Sequence, residues 1–218
     1  MKRIKKIGVL FSGGVDSAAL LARYLKAAYQ VWPVYTTAGL PWEKAELTWA
    51  KRLLKNIQTT DLKPLTVVRL RLEKAYDKNW SQTGRTPGLH SSDEAVYLPA
   101  RNLLLITKAL LFLSSRKINE IAIATLKGNP FPDGRESYFR LLEKVLSRSF
   151  RRRIFIRSPF RTMEKIQIIR KFPAFPFHLT FSCINMRGLV HCGRCNKCAE
   201  RKRAFKKAGV GDRTAYKH

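Results

Sequence analysis

Short apolar runs alternate with helically patterned segments along most of this chain. The apolar runs have the length of strands and lie at Ile7–Phe11, Val31–Tyr35, Leu65–Leu70, Ile121–Ala124 and Ile154–Ile156. The segments with helical periodicity lie at Ser17–Ala28, Glu43–Asn56, Ala100–Arg116, Glu136–Ser149 and Met163–Lys171. Because a helix between two strands returns the chain to the same edge of a sheet, this alternation favours parallel strands. The sequence therefore predicts an α/β fold, a doubly wound parallel sheet with helices on both faces.

The loops that follow the strands are the expected location of a ligand site. In an open parallel sheet, ligands bind beyond the carboxyl ends of the strands. The loops after Phe11, Tyr35, Leu70 and Ala124 should therefore line one rim of the sheet. The longest loop, Glu73–Glu94, has little periodicity. Loops of this length are usually functional, so we interpret it as a lid or a substrate loop.

The chain changes character at about Pro173, where the alternation stops and a cysteine-containing tail begins. This boundary separates an α/β domain at residues 1–172 from a small C-terminal segment at residues 173–218, closed by a helix at Ala199–Ala208. All four cysteines of the chain lie in this tail with the spacing C-x8-C-x2-C-x2-C, at Cys183, Cys192, Cys195 and Cys198.

The cysteine spacing predicts a zinc site. Tetrahedral Zn²⁺ prefers four soft ligands, and closely spaced thiolates provide them without ordering a long loop. A site closed by four thiolates has no open coordination position, so its expected role is structural. Two disulfides are the alternative. The N-terminus argues against them, since basic residues lead directly into the strand at Ile7–Phe11 without a secretory leader.

The chain is strongly basic, with 43 lysines and arginines against 15 acidic residues and a net charge of +28. Such a charge attracts polyanions, and transfer RNA is the nucleic acid to consider first. The alternative is a general basic bias of the surface, because the charge is spread along the chain with one denser run at Arg148–Arg157. No apolar stretch is long enough to span a bilayer, so we expect no membrane partner and a cytoplasmic location.

A glycine-rich loop, F-S-G-G-V-D-S, occupies Phe11–Ser17 between the first predicted strand and the first predicted helix. Its two glycines allow a tight turn and a close approach of the backbone to an anion. The helix that follows offers unpaired N–H groups and the positive end of its dipole. The serines of the loop can bond phosphate oxygens, and Asp16 can hold Mg²⁺ against them. The alternative is a glycine turn with a Ser or Asp helix cap.

The loop lacks the lysine of the G-x-x-x-x-G-K-[ST] phosphate loop. It is similar instead to S-G-G-x-D-S, the pyrophosphate loop of ATP-cleaving adenylating enzymes. A loop that binds the β- and γ-phosphates as a unit leaves the α-phosphorus open to attack by a substrate oxygen. This pattern therefore favours transfer of AMP, with an adenylate and pyrophosphate as products, over transfer of the γ-phosphoryl group.

Three further motifs follow the glycine-rich loop in order along the chain. They are Y-L-P-A-R-N at Tyr97–Asn102, S-P-F…K from Ser158 to Lys165, and T-F-S-C…H-C-G-R-C-N-K-C-A-E-R from Thr180 onward, continuing through A-G-V-G-D-R-T-A-Y to Tyr216. With these four motifs the chain resembles the 7-cyano-7-deazaguanine synthase family over nearly its whole length. The loop marks only the superfamily, with its adenine-nucleotide alpha-hydrolase-like fold, whereas the tail and Y-L-P-A-R-N are specific to the family.

The resemblance implies an ATP-dependent ligase that acts on a small molecule, 7-carboxy-7-deazaguanine, with ammonia as the second substrate. The family adenylates the carboxylate and replaces AMP with ammonia. It then adenylates the resulting amide and eliminates AMP to leave a nitrile, so each turnover consumes two ATP. The implied cofactors are ATP, Mg²⁺ and Zn²⁺, and a homodimer is compatible with the resemblance.

The resemblance also implies a role for individual residues. ATP and Mg²⁺ would be held by Phe11, Ser12, Gly13, Gly14, Val15, Asp16, Ser17, Arg101 and Asn102. Asp16 and Lys165 would be catalytic, with Lys165 neutralising charge on the departing pyrophosphate. Asp133 and Arg135 would contact the substrate, and the four cysteines would bind zinc. Structural roles are the alternatives, because Arg101 and Asn102 follow a proline at a helix start and Asp133 lies in a P-D-G turn.

Two loops on the substrate rim depart from the family pattern. After the second strand the family carries Y-G-Q-x-H, whereas this chain has A-G-L-P-W at Ala38–Trp42, followed by Glu43 and Glu46. Trp42 either stacks on a base or begins a helix. The later loop ending in G-Y-P-D-C-R is shortened to Gly128–Arg135. The alternative function is therefore an adenylating ligase acting on another carboxylate or on a transfer RNA base. A non-enzymatic zinc and nucleic-acid-binding module would leave the phosphate loop unexplained.

Overall fold

Five parallel strands form one sheet in the computed structural model, which describes residues 4–72, 74–76, 78–186 and 188–217. The strands are β1 (Lys6–Leu10), β2 (Gln30–Thr36), β3 (Thr66–Val68), β4 (Glu120–Ala122) and β5 (Phe155–Arg157). Their order is β3-β2-β1-β4-β5, and every neighbouring pair is parallel. The predicted parallel sheet is confirmed. The order reverses between β1 and β4, which is where doubly wound sheets bind ligands.

Helices connect the strands and form the tail in the described part of the chain. They are α1 (Val15–Lys26), α2 (Glu43–Asn56), α3 (Trp80–Thr83), α4 (Arg101–Ser115), α5 (Glu136–Ser149), α6 (Lys165–Lys171) and α7 (Asn196–Ala208). The predicted helices are present: α2 and α5 have the predicted bounds, and the others have shifted ends. Helix α4 begins at Arg101, not Ala100, because Ala100 has the left-handed φ of 57°. None of the described helices has the length and apolar character needed to cross a membrane.

Helices cover both faces of the sheet. Helices α1, α2 and α6 pack on one face around Val9 of β1. Helices α4 and α5 pack on the other face around Ile121 of β4. On that second face, α4 crosses β1 so closely that a Cβ added to Gly8 would lie 2.2 Å from Cδ1 of Leu113. The predicted doubly wound architecture is therefore confirmed.

The cysteine-containing tail packs against the α/β domain. Phe177 and Phe205 of the tail belong to the same buried cluster as α1 and α6. The backbone N–H of Phe181 donates to the carbonyl oxygen of Gly13 at 2.9 Å. On α2, the indole N–H of Trp49 donates to the carbonyl oxygen of Leu189 at 2.7 Å. The tail therefore lies directly against the glycine-rich loop.

The long loop predicted at Glu73–Glu94 contains α3 and ends in a 3-10 turn at Asp93–Val96. Glu73 and Asp77 lie outside the described residues. The carbonyl oxygen of Pro87 accepts the backbone N–H of Asn196 at 3.1 Å, and the Asn196 side chain donates to the carbonyl oxygen of Ser91 at 2.5 Å. The second half of this loop is thus attached to the first residue of α7.

Candidate nucleotide and metal sites

The glycine-rich loop forms the turn between β1 and α1. Gly13 has a φ of 78°, a left-handed conformation that favours glycine, and a Cβ there would lie 3.1 Å from Cβ of Ala50. Gly14 is the N-cap of α1, so the first N–H groups of this twelve-residue helix point toward the rim. The turn therefore brings the unpaired backbone N–H groups at the start of α1 to the rim of the sheet, and such groups attract anions.

The hydroxyl groups of the loop are arranged around its turn. The Oγ atoms of Ser12 and Ser17 lie 3.1 Å apart, and the backbone N–H of Gly14 donates to Ser12 Oγ at 3.3 Å. Ser17 Oγ donates to the carbonyl oxygen of Gly14 at 3.2 Å. Ser12, Gly14, Val15 and Asp16 line a pocket at the rim of the sheet, whereas Phe11 is a buried core side chain.

Alternating charges extend from the loop to the tail across this pocket. Lys165 Nζ lies 3.1 Å from Oδ2 of Asp16 and 2.5 Å from Oε1 of Glu200. Lys197 Nζ lies 2.8 Å from Oε2 of Glu200 and 3.4 Å from Oδ1 of Asp93. Lys165 is the first residue of α6, and the capping box at Glu164 fixes where that helix begins. The predicted catalytic pair, Asp16 and Lys165, therefore meets in one site.

Burial and charge act in opposite directions on these groups. Burial alone would raise the pKa of Glu200, but the ammonium groups of Lys165 and Lys197 outweigh it and lower this pKa to about 2. Burial raises the pKa of Asp16 even though Lys165 opposes the shift. The Oδ1 atom of Asp16 is buried and has no hydrogen-bond partner among the described residues. A carboxylate oxygen in this position fits a bound cation.

Asn102 joins the start of α4 to Asp133. Its backbone N–H donates to Asp133 Oδ2 at 2.9 Å, and its side-chain amide donates to Asp133 Oδ1 at 3.2 Å. Asp133 is buried and caps α4, so its carboxylate already accepts two hydrogen bonds from the protein. Arg101, Asn102 and Asp133 line the pocket. Arg135 is exposed at the N-cap of α5 and is not among the described residues that line this pocket.

Aromatic rings and the half-buried carboxyl group of Glu46 also line the pocket. The rings of Trp42 and Trp80 stack with centroids 5.5 Å apart and planes 6° apart. Tyr97 and Phe131 stack with centroids 5.3 Å apart. The hydroxyl of Tyr35 donates to Oε2 of Glu46 at 2.5 Å. Burial raises the pKa of Glu46 to about 7, although this hydrogen bond and Arg101 oppose the shift.

Several pocket residues have no place in the predicted site, namely Glu46, Trp80, Lys197 and Glu200. The sequence predicts that Trp42 either stacks on a base or begins a helix. The structure shows a stacking contact with Trp80, and Trp42 is also the N-cap of α2. Lys197 and Glu200 lie three residues apart within the C-N-K-C-A-E-R motif, and this spacing places both on one face of α7. This spacing is the sequence feature that could have identified the two residues as neighbours.

The four cysteines form a buried cluster in the tail. Their sulfur atoms all lie within 4.8 Å of one another, and all four thiols are free. The Sγ atoms of Cys183 and Cys195 are 3.9 Å apart, and those of Cys192 and Cys198 are 4.0 Å apart. A tetrahedral metal with bonds of about 2.3 Å would separate its sulfur ligands by about 3.8 Å. The cluster therefore fits a tetrahedral metal ion, and the alternative of two disulfides is not what the structure has.

Backbone N–H groups and aromatic rings support this cluster. The N–H groups of Arg194 and Cys195 donate to the sulfur of Cys192 at 3.4 and 3.3 Å, which fixes the position of this sulfur. His191 is 2 % exposed and packs between the rings of Phe181 and Tyr216. Its Nε2 atom accepts a hydrogen bond from the backbone N–H of Ser182 at 3.0 Å. This nitrogen therefore holds the backbone next to Cys183 in place.

Two solved structures share the fold. The first is described as "predicted subunit of tRNA methyltransferase" from Methanocaldococcus jannaschii; the match covers 99% of this chain and 93% of that one, with a TM-score of 0.51 at 18% identity. The second is the U34-tRNA thiolase NcsA from Methanococcus maripaludis, with 94% of this chain and 65% of that one covered, a TM-score of 0.51 and 11% identity. The fold class is therefore the adenine-nucleotide alpha-hydrolase-like fold that the sequence predicts.

The family is shown by a match over nearly the whole chain. The family model described as "Queuosine biosynthesis protein QueC" matches residues 6–209, so the chain belongs to the QueC family. It is 29% identical to 7-cyano-7-deazaguanine synthase 1 of Desulfitobacterium hafniense over 92% of this chain and 91% of the relative. It is 28% identical to the 7-cyano-7-deazaguanine synthase of Methanocaldococcus jannaschii over 98% and 99%. The predicted family is confirmed.

Proposed function

We propose that this protein is an ATP-dependent 7-cyano-7-deazaguanine synthase, acting in the biosynthesis of queuosine-type deazapurines. The relatives cited above carry that name, and their alignments cover 92% of this chain or more. The observation that carries the proposal is the meeting of Asp16, Lys165 and the glycine-rich loop in one pocket. An enzyme that activates a carboxylate with ATP needs an anion-binding loop and a cation beside the departing pyrophosphate.

In the first half-reaction, the loop holds the β- and γ-phosphates against the N-terminus of α1. A carboxylate oxygen of 7-carboxy-7-deazaguanine attacks the α-phosphorus, and the bond to pyrophosphate breaks. Mg²⁺, when bound, supplies positive charge to the phosphate oxygens. Asp16 offers the oxygen for that ion, and Lys165 places its ammonium beside the leaving group. Ammonia then displaces AMP from the acyl carbon, which leaves the amide.

In the second half-reaction, the amide oxygen attacks the α-phosphorus of another ATP. Pyrophosphate departs and the nitrogen loses one proton, which gives an imidoyl adenylate. Loss of the second proton from this nitrogen, with departure of AMP from the carbon, then leaves the nitrile. The same loop, Asp16 and Lys165 serve both halves, because each forms an adenylate and releases pyrophosphate. Arg101 and Asn102 line the same pocket as the loop, which supports assigning them to position the nucleotide or the substrate.

We also propose that residues 173–218 form a metal-binding unit whose metal is Zn²⁺. Four free, buried thiols at tetrahedral spacing support this choice, because zinc favours all-sulfur sites. A site with four protein ligands offers no position to a substrate, so its role is structural. Free thiols of this kind persist in a reducing compartment, which supports a cytoplasmic location.

The assay for this function supplies ATP, Mg²⁺, ammonia and 7-carboxy-7-deazaguanine and follows the nitrile by mass spectrometry. The proposal predicts nitrile formation that requires all four components. Product that stops at the amide, or no product, contradicts it.

Because the net charge of +28 attracts nucleic acids, the same assay should also be run with transfer RNA as the substrate. Two results together would favour a transfer RNA base as substrate. Turnover would occur only with transfer RNA, and the binding of that RNA would weaken by roughly a thousandfold between about 50 and 200 mM salt.

A further inference from the structure

The substrate of the proposed reaction has a recognisable edge, and the inference drawn here rests on that proposed function. A deazaguanine ring presents two adjacent donors, the ring N1–H and the 2-amino N–H. Two parallel N–H donors match the two oxygens of a carboxylate, as an arginine fork does. A pocket selective for this ring should therefore contain a carboxylate that is not already satisfied by a cation.

Four carboxylate side chains line the pocket among the described residues, at Asp16, Glu46, Asp133 and Glu200. Lys165 forms ion pairs with two of them, Asp16 and Glu200. Asp133 accepts hydrogen bonds from Asn102 on both carboxylate oxygens and so caps α4. Asp16 and Glu200 are therefore paired with Lys165, beside the loop where we propose that the nucleotide binds. Asp133 holds the start of α4.

Glu46 differs from these three carboxylates. Its described hydrogen bond comes from a neutral group, the hydroxyl of Tyr35, which fixes one oxygen and the orientation of the carboxyl group. Trp42 precedes it by one helical turn on α2 and stacks on Trp80, so an aromatic surface lies on the same side of the pocket. A planar ring packed against this aromatic surface would lie beside Glu46, which lines the same pocket.

We propose that Glu46 recognises the donor edge of the substrate ring, accepting the N1–H and the 2-amino N–H, and thereby selects a 2-amino-substituted deazapurine. The ionised carboxylate in this partly apolar site gains two charge-assisted hydrogen bonds when the ring binds. A ring without the 2-amino group leaves that charge partly unpaired, and a buried charge without its partner is costly. Glu46 therefore acts as a specificity residue.

The electrostatic setting of Glu46 agrees with this role. Its pKa is raised to about 7 because burial disfavours the charge. The titratable and charged groups that face it are the Tyr35 hydroxyl from β2, Glu43 from its own helix and Arg101 from α4. Two N–H donors from a ligand would stabilise the ionised form, so substrate binding should lower this pKa.

The test measures kcat/KM for 7-carboxy-7-deazaguanine and for the same molecule without its 2-amino group. The wild-type protein should prefer the 2-amino substrate by about 100-fold, as loss of a hydrogen bond to a charged group predicts. Glu46→Gln should reduce this preference to tenfold or less, with KM for ATP unchanged, because the glutamine amide offers one acceptor and turns a donor toward the substrate. Glu43→Gln is the matched control on the same helix and should keep the preference, since Glu43 accepts the backbone N–H of Ala38.

The outcomes separate this inference from the proposed function. A wild-type protein that converts neither molecule contradicts the proposed function itself. A wild-type protein that converts both equally well, or a Glu46→Gln variant that keeps the full preference, overturns the role of Glu46 alone. The wild-type comparison needs no variant, so the inference can be refuted even if Glu46→Gln fails to fold.

Discussion

The two ends of the pocket are built in different ways. The end where we propose that the nucleotide binds (the nucleotide end) consists of one contiguous loop and a lysine held between Asp16 and Glu200. The end where we propose that the substrate ring binds (the ring end) is assembled from separate segments, which contribute Tyr35, Glu46 and the Trp42–Trp80 stack. A phosphate group is recognised by backbone and by net charge, whereas a flat ring is recognised by surfaces that must be brought together.

The two ends also differ in how they hold a carboxylate. Glu200 lies between two ammonium groups and has a pKa of about 2. Glu46 has a hydroxyl as its hydrogen-bond donor and a pKa of about 7. At neutral pH the first is a permanent charge that orders the site, and the second changes charge readily. We infer that the nucleotide end is preorganised and that the ring end is completed by its ligand.

Removal of the metal from the tail should have the largest effect. A four-thiolate zinc site contributes on the order of 10 kcal/mol to folding, so a strong chelator should unfold the tail. Because α7 carries Glu200 and Lys197, the nucleotide end should then lose its ion pairs before the sheet melts. The measurement is metal content by mass spectrometry with thermal unfolding before and after chelation. An apo protein that melts like the holo protein, or two disulfides, would contradict the zinc assignment.

The variant Asp16→Asn should abolish adenylation while leaving the fold intact. Loss of a carboxylate that anchors Mg²⁺ should lower the rate of pyrophosphate release by roughly a thousandfold or more. Asp93→Asn is the control, because Asp93 lies at the far end of the same series of charges and is half exposed. Near wild-type pyrophosphate release by Asp16→Asn would refute the role of this carboxylate.

The variant Lys165→Ala should slow adenylation by roughly a hundredfold, as expected for one group that stabilises charge in the transition state. It also leaves Asp16 and Glu200 without their shared cation, so a moderate loss of stability should accompany the effect. Rates and melting temperatures measured together separate the two contributions. Normal kcat with a lowered melting temperature would mean that Lys165 is only a structural ion-pair partner.

The smallest predicted effect is in the pH dependence of the kinetic constants, which should differ between the two ends of the pocket. Glu46 loses its charge as pH falls through about 7, so kcat/KM for the carboxylate substrate should decrease below that pH by up to tenfold per unit. Glu200 stays ionised throughout this range, so KM for ATP should show no corresponding change. Glu46→Gln should remove the inflection near pH 7. An inflection that persists in this variant belongs to another group.

The contrast between the two ends also explains what the sequence could predict. The individual strands, the glycine-rich turn and the cysteine cluster each depend on a pattern of residues close together in the chain, and all three are where the sequence places them. The wall of the ring end depends on contacts between distant positions, such as Trp42 with Trp80 and Tyr97 with Phe131. No local pattern encodes such a contact, because the fold alone brings these side chains together.

Helix ends show the same limit on a smaller scale. Periodicity predicts α4 from Ala100, but the left-handed conformation of Ala100 starts the helix one residue later. The predicted strands at Leu65–Leu70 and Ile121–Ala124 are three residues long in the structure, because their pairing ends before the apolar run does. The P-D-G turn at Asp133 gave no sign that its carboxylate would cap α4, which is 31 residues away along the chain.

The stoichiometry of ATP cleavage tests the central claim most directly. One loop is proposed to form two successive adenylates, so each nitrile should be accompanied by two AMP and two pyrophosphate, and no ADP should form. Addition of the synthetic amide in place of the carboxylate should reduce the requirement to one AMP per nitrile. A ratio of one AMP per nitrile from the carboxylate, or the appearance of ADP, would contradict the account.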